Sequence, residues 1–252
     1  NLVPAIENEN LIFGKIFHNS LEEWVKNGKD MEKVISQLVM PEDIDGQYMI
    51  VKIIALLRGY AERYQNEPYE YEYIEEPFTA PLLNPETSAE SKTFEVCGVI
   101  DAIVKDQSGR MMIKETKTTS DDLSVESDYW RRLMMDTQVS QYYLGAEMVL
   151  GYKVESCLYD CIKKPTIRPK QVGKEIDPKD PKRTETPAEF GKRLESDIKE
   201  RPDFYYARRE VPRSEGDLAD FLFDVWNIAL SLRAYQLKKK FPRYTTSCMG
   251  MY

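Results

Sequence analysis

Histidine is almost absent from this sequence: among 252 residues, only His18 carries an imidazole. A zinc site built from several histidines is therefore excluded. Cysteine is scarce as well, without the density of a disulfide-stapled secreted domain, and the four are Cys97, Cys157, Cys161 and Cys248. No apolar run approaches the roughly 18 residues of a membrane span, and no signal-peptide pattern opens the chain. We therefore expect a reduced, cytoplasmic setting with no membrane partner.

Positive charge is also in the minority, with 35 basic against 43 acidic residues and a net charge of −8. This balance weakens a nucleic-acid function but does not remove it, because local distribution matters more than the sum. Acid gathers early, in "NEPYEYEYIEEPF", and base gathers later, in "IKKPTIRPK", "YYARREVPR" and "LKKKFPR". The asymmetry permits a basic channel on an acidic body, although each run could equally be an ordinary solvated face.

Hydrophobic periodicity predicts a mixed α/β domain with helices on both sides of a central sheet. The predicted helices cover residues 11–27, 31–39, 45–65, 125–151, 186–201 and 217–240, and the predicted strands cover 69–78, 93–106, 110–119, 153–165 and 203–211. Residues 166–187 are polar and proline-bearing, which predicts a mobile loop. We expect one domain over 1–252, helical at about 1–66 and carrying the core sheet from about 67, and an excerpt of a longer chain.

The strand "MMIKETKTT" places charge at the end of an apolar row. Met111 and Ile113 alternate into Glu115 and Lys117, so one strand face ends in a carboxylate and an ammonium. A hairpin turn at "DQSG" brings Asp101 of the preceding strand roughly opposite Glu115 or its neighbour. Opposed side chains have Cβ atoms about 4.5–5.5 Å apart.

Two carboxylates that close repel each other unless a proton or a cation lies between them. A hard ion such as Mg²⁺ would satisfy both, and Lys117 points to the same side, where it could meet an anion. Such a site suits phosphodiester hydrolysis. The alternative is a structural ion pair between Lys117 and one acid, with the other acid exposed.

The order of these motifs resembles the PD-(D/E)xK nuclease superfamily, in particular its RecB-like exonuclease branch. The matching stretches are "LIFGKIFHNSLEEW", "GVIDAI", "IKETKTT" and "QVSQYY". The resemblance implies a restriction-endonuclease-like core, with a central mixed β-sheet flanked by helices. It also implies a Mg²⁺- or Mn²⁺-dependent deoxyribonuclease, and we expect an exonuclease that acts in DNA repair, recombination or phage DNA processing.

The resemblance also assigns roles to residues. The catalytic set is Asp101, Glu115 and Lys117, and the metal ligands are His18, Asp101, Glu115 and the Thr116 carbonyl. Substrate contacts are expected from Gln138 and Tyr142, with backbone-phosphate contacts from Arg131, Arg132, Lys163 and Lys164. Glu76 resembles an acidic position that often precedes the Asp motif, although it could equally be an exposed acid at the edge of the sheet. His18 and Tyr142, taken alone, could be packed core residues.

Some RecB-like nucleases hold an iron–sulfur cluster with one N-terminal and three C-terminal cysteines. Cys248 matches the first of the latter group, but no cysteine precedes His18, so we expect no cluster in these residues. Cys157 and Cys161 are expected to be buried as small hydrophobic residues. Expected partners are DNA and a helicase or recombination protein.

Two rival functions stay open from the sequence. One is a nucleic-acid-binding module on the same fold that does not cut. The other is a two-carboxylate glycosidase, which leaves Lys117 and the Gln138–Tyr142 spacing without a role.

Overall fold

The computed structural model describes residues 8–151, 153–172 and 183–242. Its helices are α1 (Glu9–Lys26), α2 (Met31–Ile35), α3 (Ile44–Tyr64), α4 (Asp128–Leu133), α5 (Thr137–Gly145), a π-helical turn (Ala146–Leu150), α6 (Pro187–Glu200), α7 (Pro202–Tyr205) and α8 (Glu215–Lys238). Its strands are β1 (Tyr69–Leu83), β2 (Glu90–Asp106), β3 (Met111–Thr119), β4 (Ser156–Lys163), β5 (Gln171–Val172), β6 (Arg183–Thr184) and β7 (Tyr206–Glu210).

Five strands form a mixed sheet in the order β1-β2-β3-β4-β7. The neighbours pair antiparallel except for β3 and β4, which run parallel. The connection between those two strands carries α4 and α5, as a parallel crossover requires. This architecture confirms the predicted α/β class with a central mixed sheet.

Helices cover both faces of the sheet. On one face, α1, α3 and α6 pack around a core that includes Phe17, Trp24, Leu56 and Phe190. On the other face, α4 and α5 pack on Ile113 and its neighbours. Strand β3, sandwiched between the two cores, therefore presents alternate residues to two different environments.

Local capping explains where several helices begin. Asp30 and Asp43 accept hydrogen bonds from backbone amides of α2 and α3, and Thr186 forms a capping box with Glu189 ahead of Pro187. The predicted starts of these helices are confirmed to within a residue or two. The hairpin of β2 and β3 is confirmed as well.

The predicted continuous helix over 125–151 is wrong. Helix α4 ends at Leu133, and α5 begins only at Thr137, because the Asp136 side chain caps the amide of Gln138. Aspartate competes with the helix for backbone amides, so it favours a new N-terminus over helix continuation. The predicted stop at Gly151 is confirmed by its left-handed backbone, with φ of 71°.

Three further predictions concern the cysteines, the polar segment 166–187 and membrane-spanning helices. Cys157 and Cys161 are fully buried, as predicted, whereas Cys248 lies outside the described residues. The predicted loop over 166–187 includes the short pair of β5 and β6, and its residues 173–182 also lie outside the description. Among the described residues, no helix is long and apolar enough to span a bilayer.

Candidate active site

The two faces of β3 separate two sets of charges. Glu115 and Lys117 lie on the face that carries Ile113 and meets α5, and the Nζ atom of Lys117 is 2.6 Å from Oε1 of Glu115. Glu115 is only 2% exposed, so the carboxylate of this pair is held away from water. The apolar row that precedes it in the strand accounts for this burial.

Asp101 joins this pair from β2. Ala102 pairs with Lys114, so the next step of the same register places Asp101 opposite Glu115, as the hairpin predicts. The backbone amide of Thr116 donates to Oδ2 of Asp101 over 2.9 Å. The Asp101 side chain is thereby tied to the backbone between Glu115 and Lys117.

His18 reaches the same place from α1. Its Nδ1 atom lies 3.6 Å from Oδ2 of Asp101, so the two side chains face each other without a hydrogen bond. Helix α1 can approach β3 this closely because Gly14 has no side chain: an added Cβ would lie 3.2 Å from Oγ1 of Thr118. One glycine thus helps to bring the single histidine to the predicted ligand set.

Gln138 and Tyr142 extend the cluster from α5. The Nζ atom of Lys117 donates to Oε1 of Gln138, and Nε2 of Gln138 donates to the Tyr142 hydroxyl over 2.7 Å. The two residues stand one helical turn apart, as their spacing requires. A hydrogen-bonded chain therefore runs from Glu115 through Lys117 and Gln138 to Tyr142.

The environment shifts the proton affinities of the central groups. Burial and then the Asp101 carboxylate raise the pKa of Glu115 to about 8, although the Lys117 ammonium opposes the shift. Burial pulls the pKa of Lys117 down, but the Glu115 carboxylate outweighs it and the net pKa lies above the usual value. Burial lowers the pKa of His18 despite Asp101. Glu115 therefore has too little positive charge nearby to ionise at its usual pH, and the shift of the His18 pKa favours the neutral imidazole.

A divalent cation would supply that charge. Oε2 of Glu115 is buried and has no hydrogen-bond partner, which is costly unless another group satisfies it. The two carboxylates are oxygen ligands that suit Mg²⁺ or Mn²⁺, and the His18 imidazole lies beside them. Among the residues that the structure describes, no group of three or more His, Cys, Asp or Glu side chains is already arranged to hold a metal ion. The donor chemistry of these side chains nevertheless fits such an ion.

Glu75 is an acid that the sequence reading missed. It lies between Ile74, which pairs with Ala102, and Glu76, which pairs with Ile100, so Glu75 stands opposite Asp101. Glu75 lines a small cavity of about 30 Å³ together with His18 and Asp101, whereas Glu76 does not line it. Burial and then Asp101 raise the pKa of Glu75 to about 7. The sequence carries no clear signal for Glu75, because its position depends on an irregularity of β1 that only the structure shows.

The four predicted phosphate contacts lie apart from this cluster. Arg131 and Arg132 are exposed on α4 and pair with Asp128 and Asp121. Lys163 is buried, with Nζ 4.4 Å from the centre of the Phe204 ring, and Lys164 donates to the carbonyl of Asn10. In the described part of the chain, no hydrogen bond or ion pair joins any of the four to the central residues.

A buried polar network supports β3 from behind. Lys114 projects from the face opposite Glu115, and its Nζ lies 3.0 Å from Oδ2 of Asp160 on β4. The same oxygen accepts from the Tyr60 hydroxyl at 2.5 Å and from Arg208 at 2.8 Å. Although burial raises the pKa of Asp160, Lys114 and Arg208 hold it well below its usual value. These bonds tie β3 to α3, β4 and β7, and they fix the strand that carries Glu115 and Lys117.

Comparison with known proteins gives one family. The sequence matches the family model described as the PD-(D/E)XK nuclease superfamily over residues 2–218. No curated protein matches the chain. A solved structure titled "Crystal structure of SSO0001" aligns over 88% of this chain and 78% of that chain, with 13% sequence identity and a TM-score of 0.33. The family match, which covers most of the chain, is the finding that bears on function.

Proposed function

The chain belongs to the PD-(D/E)XK nuclease superfamily, and from this premise we propose that it is a metal-dependent deoxyribonuclease of the RecB-like exonuclease branch. Its mixed sheet flanked by helices is consistent with the restriction-endonuclease-like fold of that superfamily. The observation that carries the proposal is the convergence of His18, Asp101, Glu115 and Lys117 from three elements, with one buried carboxylate oxygen of Glu115 left without a partner.

Members of the superfamily generally use divalent metals. We assign the binding of Mg²⁺ or Mn²⁺ to Asp101, Glu115, His18 and the Thr116 carbonyl. When bound, such an ion supplies Lewis acidity and lowers the pKa of a coordinated water. The low pKa of His18 suits this role, because only the neutral imidazole has a free lone pair for a metal.

The protein's own residues supply the rest of the chemistry. Lys117 keeps its proton beside Glu115, so its ammonium can orient the attacking water or offset charge that develops on the phosphate. Gln138, held between Lys117 and Tyr142, positions the scissile strand relative to that ammonium. Arg131 and Arg132, exposed on α4, remain proposed contacts to the phosphate backbone of DNA.

The wider setting follows from the same premise. An exonuclease of this branch would act in DNA repair, recombination or phage DNA processing, in the cytoplasm, with a helicase or recombination protein as partner. A nucleic-acid-binding module on the same fold that does not cut is the competing function.

The deciding experiment compares end-labelled linear DNA with circular DNA, with Mg²⁺, with Mn²⁺ and with EDTA. We expect metal-dependent release of nucleotides from the linear form alone, abolished by Glu115→Gln and by Lys117→Ala. Lys105→Ala is the matched control for the lysine, because Lys105 lies on β2 and pairs with Glu72 outside the site. Binding without cleavage in every metal would contradict the nuclease and favour the module, and cleavage of circular DNA would contradict the exonuclease.

A further inference from the structure

Helix α8 carries an apolar stripe that faces solvent. Phe223, Leu230 and Leu237 recur every seven residues and are 55%, 53% and 68% exposed. The half-buried Trp226, three residues after Phe223, and the exposed Ala234, four residues after Leu230, lie between them on the same side of the helix. A seven-residue repeat with an intervening apolar residue lies along one side of a helix and is the pattern of helices that pack against another helix.

The opposite side of α8 is covered in part by α5, although Ile228 and Leu232 on that side are 59% and 41% exposed. Phe221 and Ala229 are buried, and Phe221 lines a groove with Thr137 and Gln141 of α5. The helix is therefore apolar on two sides, one against the body of the protein and one against water. A helix that is apolar all round is normally buried, so the outward stripe calls for a second covering element.

Charge is divided along the same helix. Its first half carries the exposed Asp220 and Asp224, its second half carries the exposed Arg233 and Lys238, and the exposed Lys240 lies two residues beyond its end. The helix dipole favours acid at the start and base at the end, but this effect falls off within one turn. Asp224 lies more than two turns inside α8, so the dipole does not account for the whole division.

We propose that α8 pairs with α8 of a second copy of this chain, antiparallel, about a two-fold axis at Leu230. In that register Phe223 meets Leu237 of the second copy, and the two Leu230 side chains meet each other. The acidic half of each helix then lies along the basic half of the other, whereas a parallel pair would place like charges together. An isologous contact of this kind closes on itself as a dimer.

The flanks of the stripe agree with this pairing. At 3.6 residues per turn, Asp220, Asp224 and Lys238 all project to the same side of the stripe. In an antiparallel pair, the same flank of each helix faces the same flank of its partner. The acids of one copy therefore face Lys238 of the other, and the charge pattern is complementary to itself.

The first test is the mass of the chain in solution, by size-exclusion chromatography with light scattering at micromolar concentration. We expect twice the 29.4 kDa of one chain and a monomer for Leu230→Asp. The matched control is Val39→Asp, which adds the same charge at a position 82% exposed between α2 and α3 and should stay dimeric. A monomeric wild type, or a dimer that Leu230→Asp leaves intact, overturns the proposal. Far-UV circular dichroism verifies that each variant is folded.

The second test addresses orientation through charge reversal. Asp220→Lys with Asp224→Lys should weaken the dimer at least about tenfold, and so should Lys238→Glu with Lys240→Glu. The variant carrying all four changes should regain the wild-type dissociation constant, because the antiparallel pair again opposes unlike charges. If the fourfold variant is no tighter than either double variant, the antiparallel arrangement is overturned. Neither test depends on nuclease activity.

Discussion

Glu75 stands opposite Asp101 in the β1–β2 pair, and its backbone lies in the left-handed region with φ of 51°. A non-glycine residue with positive φ is uncommon, and the conformation costs on the order of 1–3 kcal/mol. Glu75 lies shortly after a register shift in β1, between Tyr71 and Tyr73. The strand is thus irregular where it delivers a carboxylate to Asp101 and His18.

Exchanging this carboxylate for an amide should weaken the site. Glu75→Gln removes negative charge beside Asp101, so we expect affinity for Mn²⁺ and the rate of DNA cleavage to fall about tenfold or more. The neighbouring Glu76→Gln makes the same chemical change outside the cavity and should alter both by less than about twofold. Isothermal titration with Mn²⁺ measures affinity apart from activity. Equal effects of the two substitutions would argue against a role for Glu75.

The sequence predicts the pairing of Asp101 with Glu115 but not the choice of Glu75. A short hairpin turn fixes the register of β2 and β3, so residues near it can be counted across. The position of Glu75 depends instead on a strand irregularity that leaves no clear mark in the alternation of "YEYEYIEE". The acid chosen from the motif, Glu76, lies one residue away from the position that faces Asp101.

The break before α5 and the buried polar network behind β3 could also not be predicted from the sequence. Asp136 caps α5 locally, and Arg213, far along the chain, stabilises the same break by donating to the carbonyls of Leu133 and Asp136. Lys114 meets Asp160 and Tyr60 across three elements. The hydrophobic periodicity of a single sequence indicates local structure, and it does not predict contacts between residues so far apart in the chain.

The metal-free protein should lose stability as the pH rises through neutrality. The folded pKa of Glu115 is about 8, above the usual 4.5, so its contribution is complete below pH 4.5 and is lost as the pH rises towards 8. Between these values the loss is about 1.4 kcal/mol per pH unit. We expect the unfolding free energy, measured by urea denaturation in EDTA, to fall between pH 6 and pH 8. The fall should be about 2 kcal/mol larger in wild type than in Glu115→Gln. Parallel pH dependences would show that Glu115 ionises normally.

The buried network should be sensitive to loss of the Asp160 carboxylate, which Lys114 and Arg208 share. Asp160→Asn removes the carboxylate that Lys114 and Arg208 share and leaves Arg208 with Glu67, which should cost about 3–5 kcal/mol of unfolding free energy. The control is Glu62→Gln, which breaks an ion pair with Lys199 that is exposed on both sides, and it should cost less than about 1 kcal/mol. Urea denaturation measures both, and a loss no larger than that of Glu62→Gln would contradict the structural role.

Arg213 should matter both for stability and for activity, because it holds the start of α5. Its guanidinium donates to Ser140 at 3.1 Å and to the carbonyls of Leu133 and Asp136 at 3.0 Å each. Arg213→Met keeps the aliphatic stem but leaves these acceptors without their donor, which should cost about 1–3 kcal/mol.

Because Gln138 lies in the first turn of α5, its contact with Lys117 should loosen in the same variant. We expect DNA cleavage to fall about tenfold while affinity for Mn²⁺ stays within about twofold, since the proposed metal ligands lie on other elements. Arg63→Met is the control, since it removes an arginine that pairs with the exposed Asp203 far along the chain from α5. If cleavage falls equally in both variants, the loss reflects a general loss of stability, and the α4–α5 corner does not position the site.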